Sequence, residues 1–144
     1  MTAAVLDTGV LVAGIFWRHE PHLCLQAWAR GWFTLVVSDA IFEEYERVLI
    51  EVKKQEGFAT NLEPWLEAIR SRAQWAVPSR LTSHVCRDPK DDIMIEAALA
   101  GRAQTIIARD SDLTVLEKPF GISILTPRQW LARLPRALRH QLKD

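Results

Sequence analysis

The sequence predicts a three-layer α/β/α sandwich built on a central, mainly parallel β-sheet. Short apolar runs alternate along the chain with longer segments that carry helix-capping signals, a pattern typical of parallel sheets covered by helices. The runs lack an alternating polar face, which indicates strands buried on both sides. At 144 residues and 49% hydrophobic content, the chain can bury one core and has little room for a second. We therefore expect one domain over residues 1–144.

The first half of the chain carries signals for two strands and three helices. Asp7 ends the first apolar run, and we expect a loop after it. Gly31 closes a helix, Ser38 can cap the next one, and Pro64 fits the first turn of a third. In order, the predicted elements are a strand over 3–6, a helix over 21–30, a strand over 34–37, and helices over 39–53 and 63–73.

The second half of the chain is predicted to complete the sheet. Gly101 provides a left-handed stop for a helix. Thr126 and Gln129 form a capping-box pattern around Pro127. The predicted elements are a strand over 75–77, a loop over 78–90, a helix over 91–100, strands over 105–108 and 122–125, and a C-terminal helix.

Composition narrows the class of protein. Eighteen basic and eighteen acidic residues cancel, so any nucleic-acid binding must rest on a local basic patch. Cys24 and Cys86 lack metal-ligand spacing and are too few for a disulfide framework, which fits a reducing cytoplasm. The apolar start lacks a basic leader, and no run approaches the roughly 20 apolar residues of a membrane span. We expect a cytoplasmic protein with no membrane contact.

Acidic residues recur where predicted strands end or predicted helices begin. The carboxyl ends of parallel strands meet at one edge of a sheet, so folding would press these like charges into one cleft unless cations neutralise them. Mg²⁺ and Mn²⁺ prefer carboxylate and water oxygens, and carboxylate clusters are typical of metal-assisted phosphodiester cleavage. The positions are Asp7 after the first strand, Glu44 on the second turn of a helix, Asp91 at a helix start, and Asp110 and Asp112 after a late strand.

Four segments carry a family resemblance, namely VLDTGVLVAGI, VVSDAIFEEYERVL, CRDPKDDIMIEAALAGRAQTIIARDSDL and ILTPRQWL. In this order the chain resembles the PIN-domain ribonucleases, especially the toxins of bacterial and archaeal toxin–antitoxin pairs. The segments are similar to the family's opening strand, its Ser-to-acidic-helix segment, its signature, and its closing strand and helix. One fragment alone is weakly specific, whereas the ordered set covers nearly the whole chain.

The resemblance implies an endoribonuclease that uses Mg²⁺ or Mn²⁺ and leaves a 5′-phosphate and a 3′-hydroxyl. It also implies an RNA substrate and a cognate antitoxin as partners. The catalytic and metal-binding positions that it implies are Asp7, Glu44, Asp91 and Asp110, with Asp112 as a fifth metal ligand.

Two positions depart from the family pattern. The family usually has Asn two residues after the first Asp, where this chain has Gly9, and many members have Thr where this chain has Ala108. Both differences remove polar groups that support metal ligands. They leave the acidic residues intact, so they bear on rate and substrate preference more than on the reaction class.

Structural roles compete with the catalytic ones at each position. A lone Asp after a strand is more often a turn or helix cap, and Glu44 without the resemblance is a solvated helix charge. Asp92 is the alternative to Asp91 as a ligand, and either acid can instead cap its helix. His19 and His22 share a helical spacing, but a Zn²⁺ site needs more ligands, so we expect surface or capping roles for them.

Aromatic and basic residues suggest contacts with partners. Trp17, just past the loop expected after Asp7, is the best candidate for stacking on a base. Trp28, Trp32 and Trp65 are expected on exposed helix faces, which predicts a homodimer. The C-terminal basic residues can track RNA phosphates, hold an acidic antitoxin tail, or form a solvated helix face; they are Arg128, Arg133, Arg136, Arg139 and Lys143.

Three other functions compete with a toxin ribonuclease. Gly9 and Ala108 leave open an RNA- or protein-binding module with weak catalysis, and a nuclease for general RNA processing is a second alternative. A phosphoacceptor receiver also has strand-end acids and Mg²⁺. It expects adjacent acids after the first strand and a Lys after a late strand, whereas this chain has Thr8 and Pro127 there, so we reject it.

Overall fold

A computed structural model of the chain describes residues 2–79, 89–109 and 119–143, with the backbone alone for residues 89–91. Within these ranges the chain forms five β-strands and seven α-helices. The strands are β1 (Ala3–Leu6), β2 (Thr34–Val37), β3 (Gln74–Trp75), β4 (Thr105–Ile107) and β5 (Ser123–Leu125). The helices are α1 (Thr8–Phe16), α2 (His19–Ala29), α3 (Asp39–Glu56), α4 (Glu63–Arg72), α5 (Pro89–Ala100), α6 (Pro127–Ala132) and α7 (Arg136–Arg139).

The described strands form one parallel sheet with the order β3-β2-β1-β4-β5. Strand β1 is central, because Ala4 pairs with Leu35 of β2 on one side and with Thr105 of β4 on the other. The predicted α/β class and the parallel sheet are confirmed. All five strands run in the same direction, so their carboxyl ends lie along one edge of the sheet.

Both faces of the sheet are covered by helices. Consecutive residues Val5 and Leu6 in β1 and Leu35 and Val36 in β2 are all buried, which requires apolar packing on both sides of each strand. Helix α5 ends very close to β2, because a Cβ atom on Gly101 would lie 2.5 Å from Cγ1 of Val36. Only glycine permits this approach of helix and strand.

The loop expected after Asp7 is wrong, since α1 begins at the next residue. Asp7 is the N-cap, and its side chain accepts a hydrogen bond from the N–H of Val10. Six successive residues over 10–15 are buried, so the helix has no polar face that would give a helical period. Gly9 and Gly14 further obscured the helix in the sequence.

Helix α2 begins at His19 rather than at the predicted residue 21. The backbone φ is 71° at Arg18, just before the helix, and 55° at His19, its first residue. Residues other than glycine seldom adopt such positive values. Helix α3 runs three residues past its predicted end and stops at Gly57, whose φ is 70°. Strand β3 is Gln74–Trp75 rather than 75–77.

The three tryptophans expected on exposed helix faces are not exposed. Trp28 is 4% exposed, and the guanidinium carbon of Arg72 lies 4.8 Å from the centre of its ring. Trp32 and Trp65 are half-buried and pack against the core. The prediction that these residues form an exposed apolar surface is therefore wrong. The homodimer that was inferred from it stays a prediction.

None of the helices in the described part of the chain is long and apolar enough to cross a membrane.

Candidate active site at the carboxyl edge of the sheet

Asp7 lies at the centre of the edge and is held by backbone donors. Its side chain is 4% exposed. One carboxylate oxygen, Oδ1, accepts the N–H of Val10 at 2.8 Å, and the other, Oδ2, accepts the N–H of Arg109 at 3.1 Å. These bonds join the start of α1 and the segment after β4 to one carboxylate. Asp7 therefore has a fixed position at the end of the central strand.

Glu44 is brought toward Asp7 by the helix that follows β2. Ser38 caps α3 through its hydroxyl, which accepts the N–H of Ile41 at 3.2 Å. The hydroxyl of Thr8, the residue after Asp7, donates a hydrogen bond to Oε2 of Glu44. The Glu44 side chain is 17% exposed, so it remains accessible from solvent while Thr8 orients it.

Tyr45, the residue after Glu44, is completely buried. Its hydroxyl donates a hydrogen bond of 2.5 Å to the carbonyl oxygen of Leu6. Burial raises the pKa of Tyr45 well above 10.0, and the negative charges of Asp7 and Glu44 raise this pKa further. Both carboxylates thus act on the same phenol, which shows that the fold concentrates negative charge at this point.

Helix α5 brings a further acid into the protein interior near α3. Asp91 lies in the first turn of α5 by its backbone, and its side chain is outside the described residues. Asp92 is 4% exposed. The next residue, Ile93, lines a groove of about 500 Å³ together with Glu43 and Glu44 of α3. The start of α5 therefore faces the helix that carries Glu44.

The remaining two predicted ligands, Asp110 and Asp112, lie outside the described residues. Their neighbour Arg109 is described, and its backbone N–H contacts Asp7. Among the residues that the structure describes, no group of three or more His, Cys, Asp or Glu residues forms a metal site. The described residues place Glu44 in hydrogen-bond contact with Thr8, the residue next to Asp7.

The donor atoms at this edge suit a hard divalent cation. Asp7 and Glu44 offer carboxylate oxygens, which are the ligands that Mg²⁺ and Mn²⁺ prefer. Among the described residues, Cys24 and His22 make contacts with backbone carbonyl oxygens instead. Cys24 is buried, and desolvation followed by the charge of Glu20 raises the pKa of its thiol to about 12. His22 is buried, so its expected surface position is wrong, while its Nδ1 lies 3.0 Å from the carbonyl oxygen of Gly14 in the last turn of α1, in keeping with the expected capping role.

A second concavity, of about 760 Å³, opens beside Asp7 at the carboxyl ends of β4 and β5. Arg109 connects the two features, because its backbone contacts Asp7 while the residue also lines this cleft. We call this second concavity the Trp17 cleft. Its lining residues are Ala13, Trp17, Arg18, His19, Glu20, Pro21, Arg109, Thr126, Pro127 and Arg128.

The family follows from a comparison of the whole sequence with family models. The model described as "PIN domain" matches residues 3–112. The chain belongs to the PIN domain family. This match runs from β1 past β4, and it includes all five acidic positions expected from the sequence. The PIN domain is a nuclease-type fold, and its members generally bind RNA and use divalent metals. A comparison with curated proteins found no match.

Sequence reasoning missed three residues that position the PIN carboxylates. Thr8 orients Glu44, Tyr45 joins α3 to β1, and Arg109 donates its backbone N–H to Asp7. Thr8 and Tyr45 each neighbour a predicted acid in the chain, and this adjacency was the available signal. Arg109 carried no comparable signal, because a backbone donor is independent of the side-chain type.

Proposed function

We propose that this PIN domain is an Mg²⁺- or Mn²⁺-dependent endoribonuclease and the toxin of a toxin–antitoxin pair. The observation that carries the proposal is the join between Asp7 and Glu44. Thr8, next to Asp7, donates to Glu44, and both carboxylates raise the pKa of the buried Tyr45 between their two elements. Such a concentration of negative charge around the end of a central strand suits a cation-assisted reaction on phosphate.

The metal ligands in this proposal are carboxylates from four segments of the chain. A divalent cation bound there would offset the charge of the phosphate and lower the pKa of a water molecule. Hydrolysis would then break the P–O3′ bond and leave a 5′-phosphate and a 3′-hydroxyl. The proposed ligands are Asp7, Glu44, Asp91 or its neighbour Asp92, and Asp110, with Asp112 as a fifth.

The residues that contact these carboxylates would hold them in place for the reaction. Two backbone N–H groups fix Asp7, and the Thr8 hydroxyl fixes one oxygen of Glu44. Tyr45 keeps its proton, because its pKa is well above 10.0, and so it remains a hydrogen-bond donor to Leu6 rather than a base. Such supporting contacts orient metal ligands and commonly affect activity.

The antitoxin role is supported by the groove along α3. This groove of about 500 Å³ is lined by Glu43, Glu44, Glu46 and Arg47, which together carry a net negative charge, beside the apolar side chains of Ile50 and Ile93. A basic residue on an apolar antitoxin segment would match both features. Occupation of the groove would place that segment against Glu44, so inhibition would compete with RNA or metal.

An RNA- or protein-binding module with weak catalysis is the second candidate, and Gly9 favours it. A side chain that begins at this position would lie beside the Asp7 carboxylate, because a Cβ atom on Gly9 would be 3.6 Å from Oδ1 of Asp7. Gly9 leaves that space without a polar group. A nuclease that processes RNA without an antitoxin is a further alternative function. We also propose that the protein forms a homodimer and is located in the cytoplasm.

Turnover of RNA by the purified protein tests the proposal. We expect cleavage of single-stranded RNA in Mn²⁺ and loss of cleavage in excess EDTA, with products that a ligase can join because they carry a 5′-phosphate. Metal-dependent binding without any cleavage would favour the binding module. Equal cleavage in Mn²⁺ and EDTA would contradict a metal-dependent nuclease.

A further inference from the structure

The Trp17 cleft combines an accessible aromatic ring with positive charge next to Asp7. Trp17 and Arg18 come from the turn between α1 and α2, and Arg109 follows β4. The cleft has a volume of about 760 Å³, which is within the range of small-molecule sites. Its position at the carboxyl ends of parallel strands is where ligands collect in α/β sheets.

Trp17 is held in place by other aromatic rings while its own ring stays accessible. Its side chain is 48% exposed. The ring stands nearly perpendicular to Phe58, with centroids 5.3 Å apart, and to Phe16, with centroids 6.2 Å apart. Phe16 and Phe58 stack on each other at 4.8 Å. Edge-to-face packing of this kind orients the indole before any ligand arrives.

Among the described residues that line the cleft, positive charges outnumber negative ones, although the whole chain is neutral. Arg128 is paired with Glu20 at 3.1 Å, so these two charges cancel. Arg18 and Arg109 are exposed and add two positive charges to the lining. The backbone of Arg18 has a φ of 71°. A non-glycine residue in this region is strained, and such residues cluster at functional sites.

We propose that the Trp17 cleft is a nucleotide subsite for single-stranded RNA. One unpaired base stacks on Trp17, and the adjoining phosphates contact Arg18 and Arg109. The identity of the strand as a substrate rests on the proposed ribonuclease function. Because the Arg109 backbone also contacts Asp7, a strand bound in this way passes beside the Asp7 carboxylate. Trp17 is thus a substrate-positioning residue.

Binding of fluorescein-labelled single-stranded RNA to the full chain in EDTA tests the subsite without cleavage. We expect Trp17→Ala to raise Kd by about 5- to 150-fold, the range of one base–aromatic stack. Trp17→Phe should restore most of the affinity. Arg109→Gln should lower the salt dependence of binding by about one phosphate contact. Thermal melts check that each variant folds.

Trp75→Ala is the matched control, because Trp75 is 41% exposed and lies on β3, at the opposite edge of the sheet from β5. It should leave Kd unchanged. A single-stranded DNA of the same sequence should show the same dependence on Trp17, since stacking does not read the 2′-hydroxyl. The binding of double-stranded RNA should not depend on Trp17, because its bases are already stacked on one another.

The outcomes for the subsite and for the nuclease are separable. Trp17-dependent binding in a protein that never cleaves RNA supports the subsite and refutes the proposed nuclease. Cleavage in Mn²⁺ with the same KM and kcat for Trp17→Ala as for the unaltered protein refutes the subsite and leaves the nuclease standing. An equal loss of affinity in Trp17→Ala and Trp75→Ala also overturns the subsite. An increase in KM with little change in kcat for Trp17→Ala alone supports both.

Discussion

The hydroxyl of Tyr45 donates a 2.5 Å hydrogen bond to the carbonyl oxygen of Leu6. This bond fastens α3 to the last residue of β1. Each partner of this bond is adjacent in the chain to an acid, since Asp7 follows Leu6 and Glu44 precedes Tyr45. This buried contact therefore acts together with the hydrogen bond from Thr8 to Glu44 to set the relative position of the two acids.

Loss of this contact should lower stability and remove a pH dependence. Tyr45→Phe deletes one buried hydrogen bond, and we expect a decrease of about 0.5–1.5 kcal/mol in the free energy of unfolding at neutral pH. The raised pKa means that the native phenol stays protonated where the unfolded phenol ionises. The contribution of Tyr45 to stability is therefore complete below pH 10 and decreases as the pH rises above 10.

Urea unfolding between pH 8 and about pH 11 measures both effects. Tyr45 is the one tyrosine of the sequence, so tyrosinate absorbance reports its ionisation directly. Cys24 also loses stabilising power as the pH rises above 9.0, because its folded pKa is about 12, and the comparison is made in a Cys24→Ala background. A tyrosine that titrates near pH 10 in the native protein would refute the buried, charge-flanked environment.

Thr8 should affect cleavage through Glu44. Thr8→Val keeps the shape of the side chain but removes the hydroxyl that donates to Glu44. We expect kcat to fall by about 10- to 100-fold, the usual cost of losing a contact that orients a metal ligand. Thr8→Ser retains a hydroxyl and should stay close to the unaltered protein in steady-state assays. Equal rates for the Val and Ser variants would show that this hydrogen bond does not matter for the reaction.

Gly9→Asn should increase the cleavage rate. The position has room for a side chain, because a Cβ atom would lie 3.6 Å from Oδ1 of Asp7 at ordinary contact distance, and the family usually places Asn here. The new amide would supply a polar partner near the carboxylate. Single-turnover cleavage in Mn²⁺ measures the gain.

Gly9→Ala is the control for the change in helix propensity at this position. Both variants replace glycine within α1 and should raise the melting temperature. For alanine, the free energy of unfolding should increase by about 0.4–1 kcal/mol. Only the Asn variant should cleave faster. A rate increase of the same size in the Ala variant would assign the effect to the helix and not to the amide.

The sheet and the place of Asp7 at the end of its central strand were predictable from the sequence because both depend on local patterns. The apolar runs of β1 and β2 had no polar face, and Asp7 directly followed the first run. Helix α1 was not predictable from periodicity, because burial on every side removes the polar stripe on which a helical period depends. The positive φ at Arg18 could not be predicted from the sequence either, because such values are usually indicated by a glycine and this position has an arginine.

Contacts between residues that are distant in the chain could not be predicted from local sequence patterns. Trp28 resembled a surface residue of a helix, yet α4 supplies Arg72 to cover its ring. The hydroxyl of Tyr45 reaches the carbonyl oxygen of Leu6, which is 39 positions away in the chain. Such pairings depend on tertiary packing, which overrides the local pattern.

Asp7→Asn tests most directly whether Asp7 and Glu44 bind a cation that supports RNA cleavage. Asn is also a good N-cap, so the fold should persist, although one amide oxygen cannot replace both acceptors of the carboxylate. Glu44→Gln is the companion variant. The control is Glu46→Gln, because Glu46 on the same helix pairs with Arg70 at 3.6 Å and is solvent-exposed.

The decisive measurement records RNA cleavage in Mn²⁺ together with the shift in stability that Mn²⁺ causes in each variant. Cleavage by Asp7→Asn should fall by more than about a hundredfold, since even supporting contacts cost about 10- to 100-fold. The stabilisation by Mn²⁺ should shrink in parallel, because it depends on metal binding to the native state. Glu46→Gln should change neither quantity. Unchanged cleavage and unchanged stabilisation by Mn²⁺ in Asp7→Asn would contradict the proposed site.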